Sequence, residues 1–230
     1  MKRFLFVDDN FDFAENLAEI LRDNGDHVAV AGGGVQALEL VRQTRFDALV
    51  TDMRMPEMSG AALVHEVRRV DPGLPAIIIT AYTGEDDLEA ARKEGVLAVL
   101  SKPVPIRGLI MMLKAARRNG LVALVEDDFA LADNLAEALR DRGFSCVNAG
   151  SLAEAERLCG MRPFVALVDL RIRGAPDGAA LTLLFERNPE LPILVMSAHE
   201  EALRRAAWPR AFAKPFDSEA LLATVEKLWR

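Results

Sequence analysis

The chain repeats itself, and this more than any other feature limits how it can fold. Val7–Leu21 reads VDDNFDFAENLAEIL and Val125–Leu139 reads VEDDFALADNLAEAL, so sliding one half along the other sets Asp9 on Asp127. The repeat is far too long for a solenoid unit, and 230 residues fit two small domains of similar size. The joint falls at Asn119–Gly120, a helix stop followed at once by an apolar strand, which places the expected domains at 1–119 and 120–230.

Within each half, apolar runs rich in Val, Ile and Leu alternate with amphipathic stretches of helical period. In the first half the expected strands are Phe4–Val7, His27–Ala31, Ala48–Thr51, Ala76–Thr80 and Val96–Leu100. The helical patterns between them are Phe11–Asn24, Val35–Thr44, Ala61–Val70, Asp86–Glu94 and Ile106–Arg118. The second half repeats the order with strands at Val122–Val125, Ser145–Asn148, Val165–Val168, Ile193–Ser197 and Ala211–Ala213. Strands that are apolar throughout are covered on both faces, which implies parallel sheets. The expected class is α/β: two doubly wound five-stranded parallel sheets of strand order 2-1-3-4-5, arranged as a tandem duplication.

Composition removes several function classes. The net charge of −7 divides evenly between the halves, and neither half carries a basic stripe or interleaved aromatics, so direct nucleic-acid binding is not expected. No stretch approaches the ~20 apolar residues of a membrane span, and MKRFLFV is too short for a signal-peptide core, which together predict a cytoplasmic chain without membrane insertion. Cys146 and Cys159 lack metal-ligand or redox spacing and read as reduced core residues.

What carries chemistry stands at the carboxyl ends of the strands, where open α/β sheets collect ligands. In the first half these places hold Asp8–Asp9, Asp52, Thr80 and Lys102–Pro103; in the second they hold Glu126–Asp127, Asp169, Ser197 and Lys214–Pro215. Each position keeps its chemistry across the repeat. Three converging carboxylates without a counter-charge would raise one another's pKa, and a hard divalent cation such as Mg²⁺ resolves this while leaving room for a phosphoryl oxygen. A carboxylate held in this way can attack phosphorus to give an acyl phosphate, with a lysine ammonium steadying the transferring oxygens.

Each half thus resembles the receiver domain of two-component response regulators, with the flavodoxin-like fold, and the resemblance covers almost the whole chain. It implies that Asp52 and Asp169 are phosphoacceptors and that Asp8, Asp9, Glu126 and Asp127 bind Mg²⁺ together with them, with the carbonyls of Arg54 and Arg171 as further ligands. Thr80 and Ser197 match the family's switch hydroxyl, Lys102 and Lys214 its lysine, and Met55–Gly60 (MPEMSG) the loop after the phosphoacceptor. It also implies cis bonds before Pro103 and Pro215. The expected partner is a histidine kinase or histidine phosphotransfer protein. The expected role is a stand-alone tandem-receiver regulator signalling through protein contacts, its own chemistry confined to self-phosphorylation from a donor and slow self-dephosphorylation. The downstream target is not named by the sequence, and a homodimer is left open.

Several positions depart from the family. Val99 and Ala211 stand where an aromatic usually precedes the lysine, Arg173 stands where Pro56 does, and the loop from Asp169 to Gly178 is one residue longer than that from Asp52 to Gly60. The interval from Ser197 to Lys214 is shorter than that from Thr80 to Lys102, so the fourth helix of the second copy is expected to end near Trp208–Pro209. Arg54 and Arg171, with Tyr82 and His199, flank the phosphoryl position and are expected to slow the approach of water. GGGVQA at Gly32–Ala37 imitates a dinucleotide fingerprint but follows the second strand, and its glycines do not repeat. An aspartate-nucleophile phosphatase of the haloacid dehalogenase type would need D-x-D, which VDDN and VEDD lack. Alternatives kept are that one receiver is only a docking module, or that the chain is the receiver part of a larger hybrid kinase.

Overall fold

A computed structural model describes residues 1–81, 84–199, 201, 203 and 210–229, and of Glu85 the backbone alone. Tyr82 and the end of the shortened helix near Trp208–Pro209 lie outside the described residues. The chain divides into two compact units, Met1–Asn119 with Asp141–Ser145, and Gly120–Arg140 with Cys146–Arg230.

The first unit runs β1 (Arg3–Val7), α1 (Phe11–Asp23), β2 (His27–Ala31), α2 (Gly34–Gln43), β3 (Ala48–Asp52), α3 (Gly60–Val70), β4 (Ala76–Thr80), α4 (Glu85–Lys93), β5 (Ala98–Ser101) and α5 (Ile106–Ala115). Its sheet is parallel, in the order β2-β1-β3-β4-β5. Alternation along each strand feeds two cores. Leu5, Val7, Leu49 and Ile78 join α2 and α3 on one face, while Phe4, Phe6, Val50, Ile77 and Ile79 join α1 and α5 on the other. Burial on both faces is why these strands read as unbroken apolar runs.

The second unit runs β6 (Leu121–Val125), α6 (Phe129–Asp141), β7 (Ser145–Ala149), α7 (Leu152–Leu158), a 3₁₀ turn (Cys159–Met161), β8 (Val165–Asp169), α8 (Ala179–Arg187), β9 (Ile193–Ser197), β10 (Ala211–Ala213) and α9 (Ser218–Trp229). Its order, β10-β9-β8-β6-β7, is the same arrangement. Both sheets therefore have the fold expected from the sequence. Cys146 is fully buried, and burial pushes its thiol up to about 12. It packs as an inert core residue.

Two boundaries differ from expectation by more than one residue. β5 begins at Ala98 rather than Val96, because Gly95 turns with φ 64° and Leu97 reaches the sheet by donating to Ala76 O at 2.7 Å. α5 ends at Ala115 rather than Arg118, with Ala116 already extended (φ −50°, ψ 128°). Long-range contacts end it there. Lys2 Nζ donates to the carbonyls of Leu113, Lys114 and Ala116, a cation on a helix carboxyl end. Arg118 is drawn away to Asp71 at 2.7 Å, and Asn119 N–H donates to Gly73 O at 2.8 Å.

Arg68 on α3 fastens the approach to β5. Its guanidinium donates to Glu94 O (2.6 Å), Gly95 O (2.6 Å) and Pro72 O (3.3 Å). Burial pulls its pKa down to about 10, against the opposing charge of Glu94, so it remains charged at neutral pH. Arg68→Met is expected to cost the first unit about 3 kcal/mol, because hydrogen bonds to a charged group contribute about 1.5 kcal/mol or more each and the abandoned carbonyls are poorly hydrated. Arg68→Lys should recover less than half, since a compact ammonium cannot reproduce the separated donors of the guanidinium fork. Urea titration of the first unit's transition measures both, and a Met variant as stable as the parent would refute the role.

Candidate functional site

The sheet topology brings the carboxyl ends of β1, β3 and β5 to one edge. Asp8 (4% exposed) and Asp52 (8% exposed) are buried carboxylates, and Lys102 reaches both from across the sheet. Its Nζ lies 2.9 Å from Asp8 Oδ2 and 2.6 Å from Asp52 Oδ1. The remaining oxygens also have donors. Asn10 N–H donates to Asp8 Oδ1 at 2.9 Å, and Arg54 N–H donates to Asp52 Oδ2 at 2.6 Å. Thr80 is buried at the end of the neighbouring β4. The bonds before Pro103 and Pro215 are cis, as expected.

The second unit builds the same constellation with a longer acid. Lys214 Nζ lies 2.5 Å from both Glu126 Oε2 and Asp169 Oδ2. Arg171 N–H donates to Asp169 Oδ1 at 2.9 Å, and Ser197 Oγ accepts from His199 N–H at 3.0 Å. One carboxylate oxygen each from Glu126, Asp127 and Asp169 lies within 4.8 Å of the others. Among the described residues this is the only acidic or histidine–cysteine group of three that close; Asp9 of the first unit is exposed.

Electrostatics agree with this geometry. Burial alone would lower both lysines, but hydrogen bonds and charge from Asp52 and Asp8, and from Asp169 and Glu126, outweigh it and hold each ammonium above its ordinary pKa. Burial raises the Glu126 carboxyl against the pull of Lys214. The donor set is all oxygen in both units, and in the second it is preassembled and partly neutralised, which suits a hard cation that keeps its waters. Helix capping does not use these acids. Asn10 caps α1 by accepting from Phe13 N–H, and Asp128 accepts from the amides of Ala130 and Leu131.

The loop after Asp52 packs tightly. A Cβ on Gly60 would stand 2.2 Å from Asp52 O, so glycine there lets α3 start against the carboxylate's own backbone. Gly34 leaves room for Met58, whose Sδ would stand 2.6 Å from a Cβ. The glycines of GGGVQA thus include a packing position beside this loop, with no need of a nucleotide. Arg54 pairs with Asp87 (2.9 Å), and Arg171 with Asp177 (3.0 Å) and His199 (2.6 Å), so both arginines are exposed but tethered beside the site.

Two neighbours escape sequence reasoning. The Phe13 ring lies 4.3 Å beneath Lys102 Nζ, a cation–π contact that steadies the ammonium. Arg173 meets Asp127 through its backbone N–H at 3.2 Å and its Nε at 3.7 Å. The replacement of Pro56 by Arg173 was the only available signal.

The comparisons agree with one another. The description "Response regulator receiver domain" matches residues 4–114 and 122–226. A "Response regulator receiver protein" of Anaeromyxobacter sp. (strain Fw109-5) is 58% identical over 230 residues, covering 100% of this chain and 96% of that protein. The transcriptional regulatory protein ZraR of Escherichia coli (strain K12) is 39% identical over 112 residues, which is 49% of this chain and 25% of ZraR. Among solved structures, the receiver domain of sensor histidine kinase PA1611 from Pseudomonas aeruginosa PAO1, described with magnesium in its active-site cleft, is 28% identical with TM-score 0.46, covering 49% of this chain and 94% of that one.

Proposed function

The chain belongs to the response regulator receiver domain family, in two successive copies, and from that premise we propose that it takes phosphoryl groups on Asp52 and Asp169 from a histidine kinase or phosphotransfer protein. The observation that carries this reading is the repeated lysine bridge: one ammonium shared by the strand-end acid and the β3 or β8 acid in each unit. The receivers proposed are 1–119 and 120–230.

In each, a carboxylate oxygen attacks the phosphorus of a phosphohistidine. An O–P bond forms, the N–P bond breaks, and the departing imidazole nitrogen takes a proton. Lys102 and Lys214 hold the phosphoryl oxygens while charge redistributes, the N–H groups of Arg54 and Arg171 keep the carboxylates aimed, and Thr80 and Ser197 offer hydroxyls to the product. Asp8, Asp9 and Asp52, and Glu126, Asp127 and Asp169, with the carbonyls of Arg54 and Arg171, would hold Mg²⁺. When bound, it supplies neutralisation of carboxylate and phosphoryl charge. No described helix is long and apolar enough to cross a membrane, and a cytoplasmic switch acting through protein contacts, without nucleic acid, is the reading proposed. The test is incubation with acetyl phosphate and Mg²⁺ followed by intact-mass measurement. Two hydroxylamine-labile phosphoryl adducts are expected, neither forming when a chelator is present from the start, and absence of any adduct with Mg²⁺ would defeat the reading. A second reading, in which only the first receiver is labelled and the second docks, is favoured by the contact of Arg173 with Asp127.

A further inference from the structure

In the second unit every acid of the cluster already faces a positive group. Lys214 bridges Glu126 and Asp169, and Arg173 takes Asp127, donating its backbone N–H at 3.2 Å and placing its Nε 3.7 Å from the same oxygen. The loop dictates this placement. Ile172 O accepts from Ala175 N–H at 3.1 Å, so Arg173 sits at the corner of a turn, and Gly174 follows with φ 80°. The first unit has Pro56 at the corresponding place, which offers neither an N–H nor a charge. The Arg173 side chain is otherwise 90% exposed, so it can leave Asp127 without disturbing the core.

We propose that Arg173 is an internal competitor for a divalent cation at Glu126, Asp127 and Asp169, and that it weakens cation binding by the second receiver. The proposal rests on reading that cluster as a cation site. A guanidinium a few ångströms from a dication opposes it, and it also occupies the oxygen the ion needs. In a solvated, salt-screened setting the two effects together amount to about 5-fold in affinity. Because the ammonium of Lys214 has its counterpart in Lys102, the turn arginine is the charge that distinguishes the second site among the described residues.

The test uses the full chain with Asp9→Asn and Asp52→Asn to weaken the first site, and Mn²⁺ as probe, with free ion read by electron paramagnetic resonance. Arg173→Ala is expected to tighten binding about 5-fold, and Arg173→Gln, which keeps the reach but not the charge, by a similar factor. Raising the ionic strength should shrink the difference. Arg187→Ala, which removes an equal charge from the remote pair with Glu156 (2.7 Å), should leave affinity nearly unchanged. Equal binding by the parent and both Arg173 variants overturns the proposal while leaving the cation site standing. Equal gains from Arg187→Ala overturn it in favour of overall charge. Absence of Mn²⁺ binding in every variant overturns the cation site itself, and the proposal with it.

Discussion

Asp52→Asn combined with Asp169→Asn is expected to abolish phosphoryl labelling, while each single variant removes one adduct. A carboxamide oxygen is a far poorer nucleophile than a carboxylate, and no acyl phosphate can form on it. The larger share of labelling is expected to be lost with Asp52→Asn. Its loop keeps the proline that the second copy replaces with Arg173, and its site lacks that competing cation. The fold should survive in both single variants, since Lys102 keeps Asp8 at 2.9 Å and Lys214 keeps Glu126 at 2.5 Å. Radiolabel from phosphorylated donor, read alongside far-ultraviolet circular dichroism, separates loss of chemistry from loss of structure. Undiminished labelling in the double variant would place the phosphoacceptors elsewhere.

Lys102→Met should do more damage to the protein than either aspartate variant. It leaves Asp8 and Asp52, both buried and adjacent, without their common counter-charge. Removing one partner of a buried ion pair costs about 3 kcal/mol or more when the other charge stays behind. Saturating Mg²⁺ should restore much of this, because a divalent cation can replace the ammonium between the carboxylates. Asp8→Asn in the same chain should also reduce the cost, since one stranded charge is gone. The pH dependence has a definite sign. Lys102 is held above its ordinary value, so its contribution is complete below about pH 10.4, the unfolded lysine value, and is lost as pH rises through the higher folded value. Labelling at Asp52 should fall about 100-fold even with Mg²⁺ present, as for loss of an oxyanion donor. Urea titrations with and without Mg²⁺ decide the stability part. Equal midpoints for Lys102→Met and parent in the absence of cation would show that the bridge does not stabilise the fold.

The sequence by itself determined the class of fold, the duplication and the chemical identity of each strand-end position. These follow from local rules. Burial on both sheet faces makes β1, β3 and β4 largely apolar runs, period-3.6 patterns mark the helices between them, and a parallel sheet then obliges all strand carboxyl ends to share one edge. Asp8, Asp52 and Lys102 could therefore be placed together without coordinates, although Lys102 lies far along the chain from Asp8. What only the tertiary structure decided are contacts whose existence depends on distances and side-chain directions between elements remote in sequence. Phe13 beneath Lys102, Arg68 on the carbonyls of Glu94 and Gly95, and Lys2 at the end of α5 are of this kind. No periodicity encodes them, because an arginine or lysine looks the same in sequence whether solvated or clasped to a carbonyl. Arg173 shows the limit most clearly. Its substitution for proline was visible in the sequence, but only the turn geometry shows that its N–H and its charge both fall on Asp127.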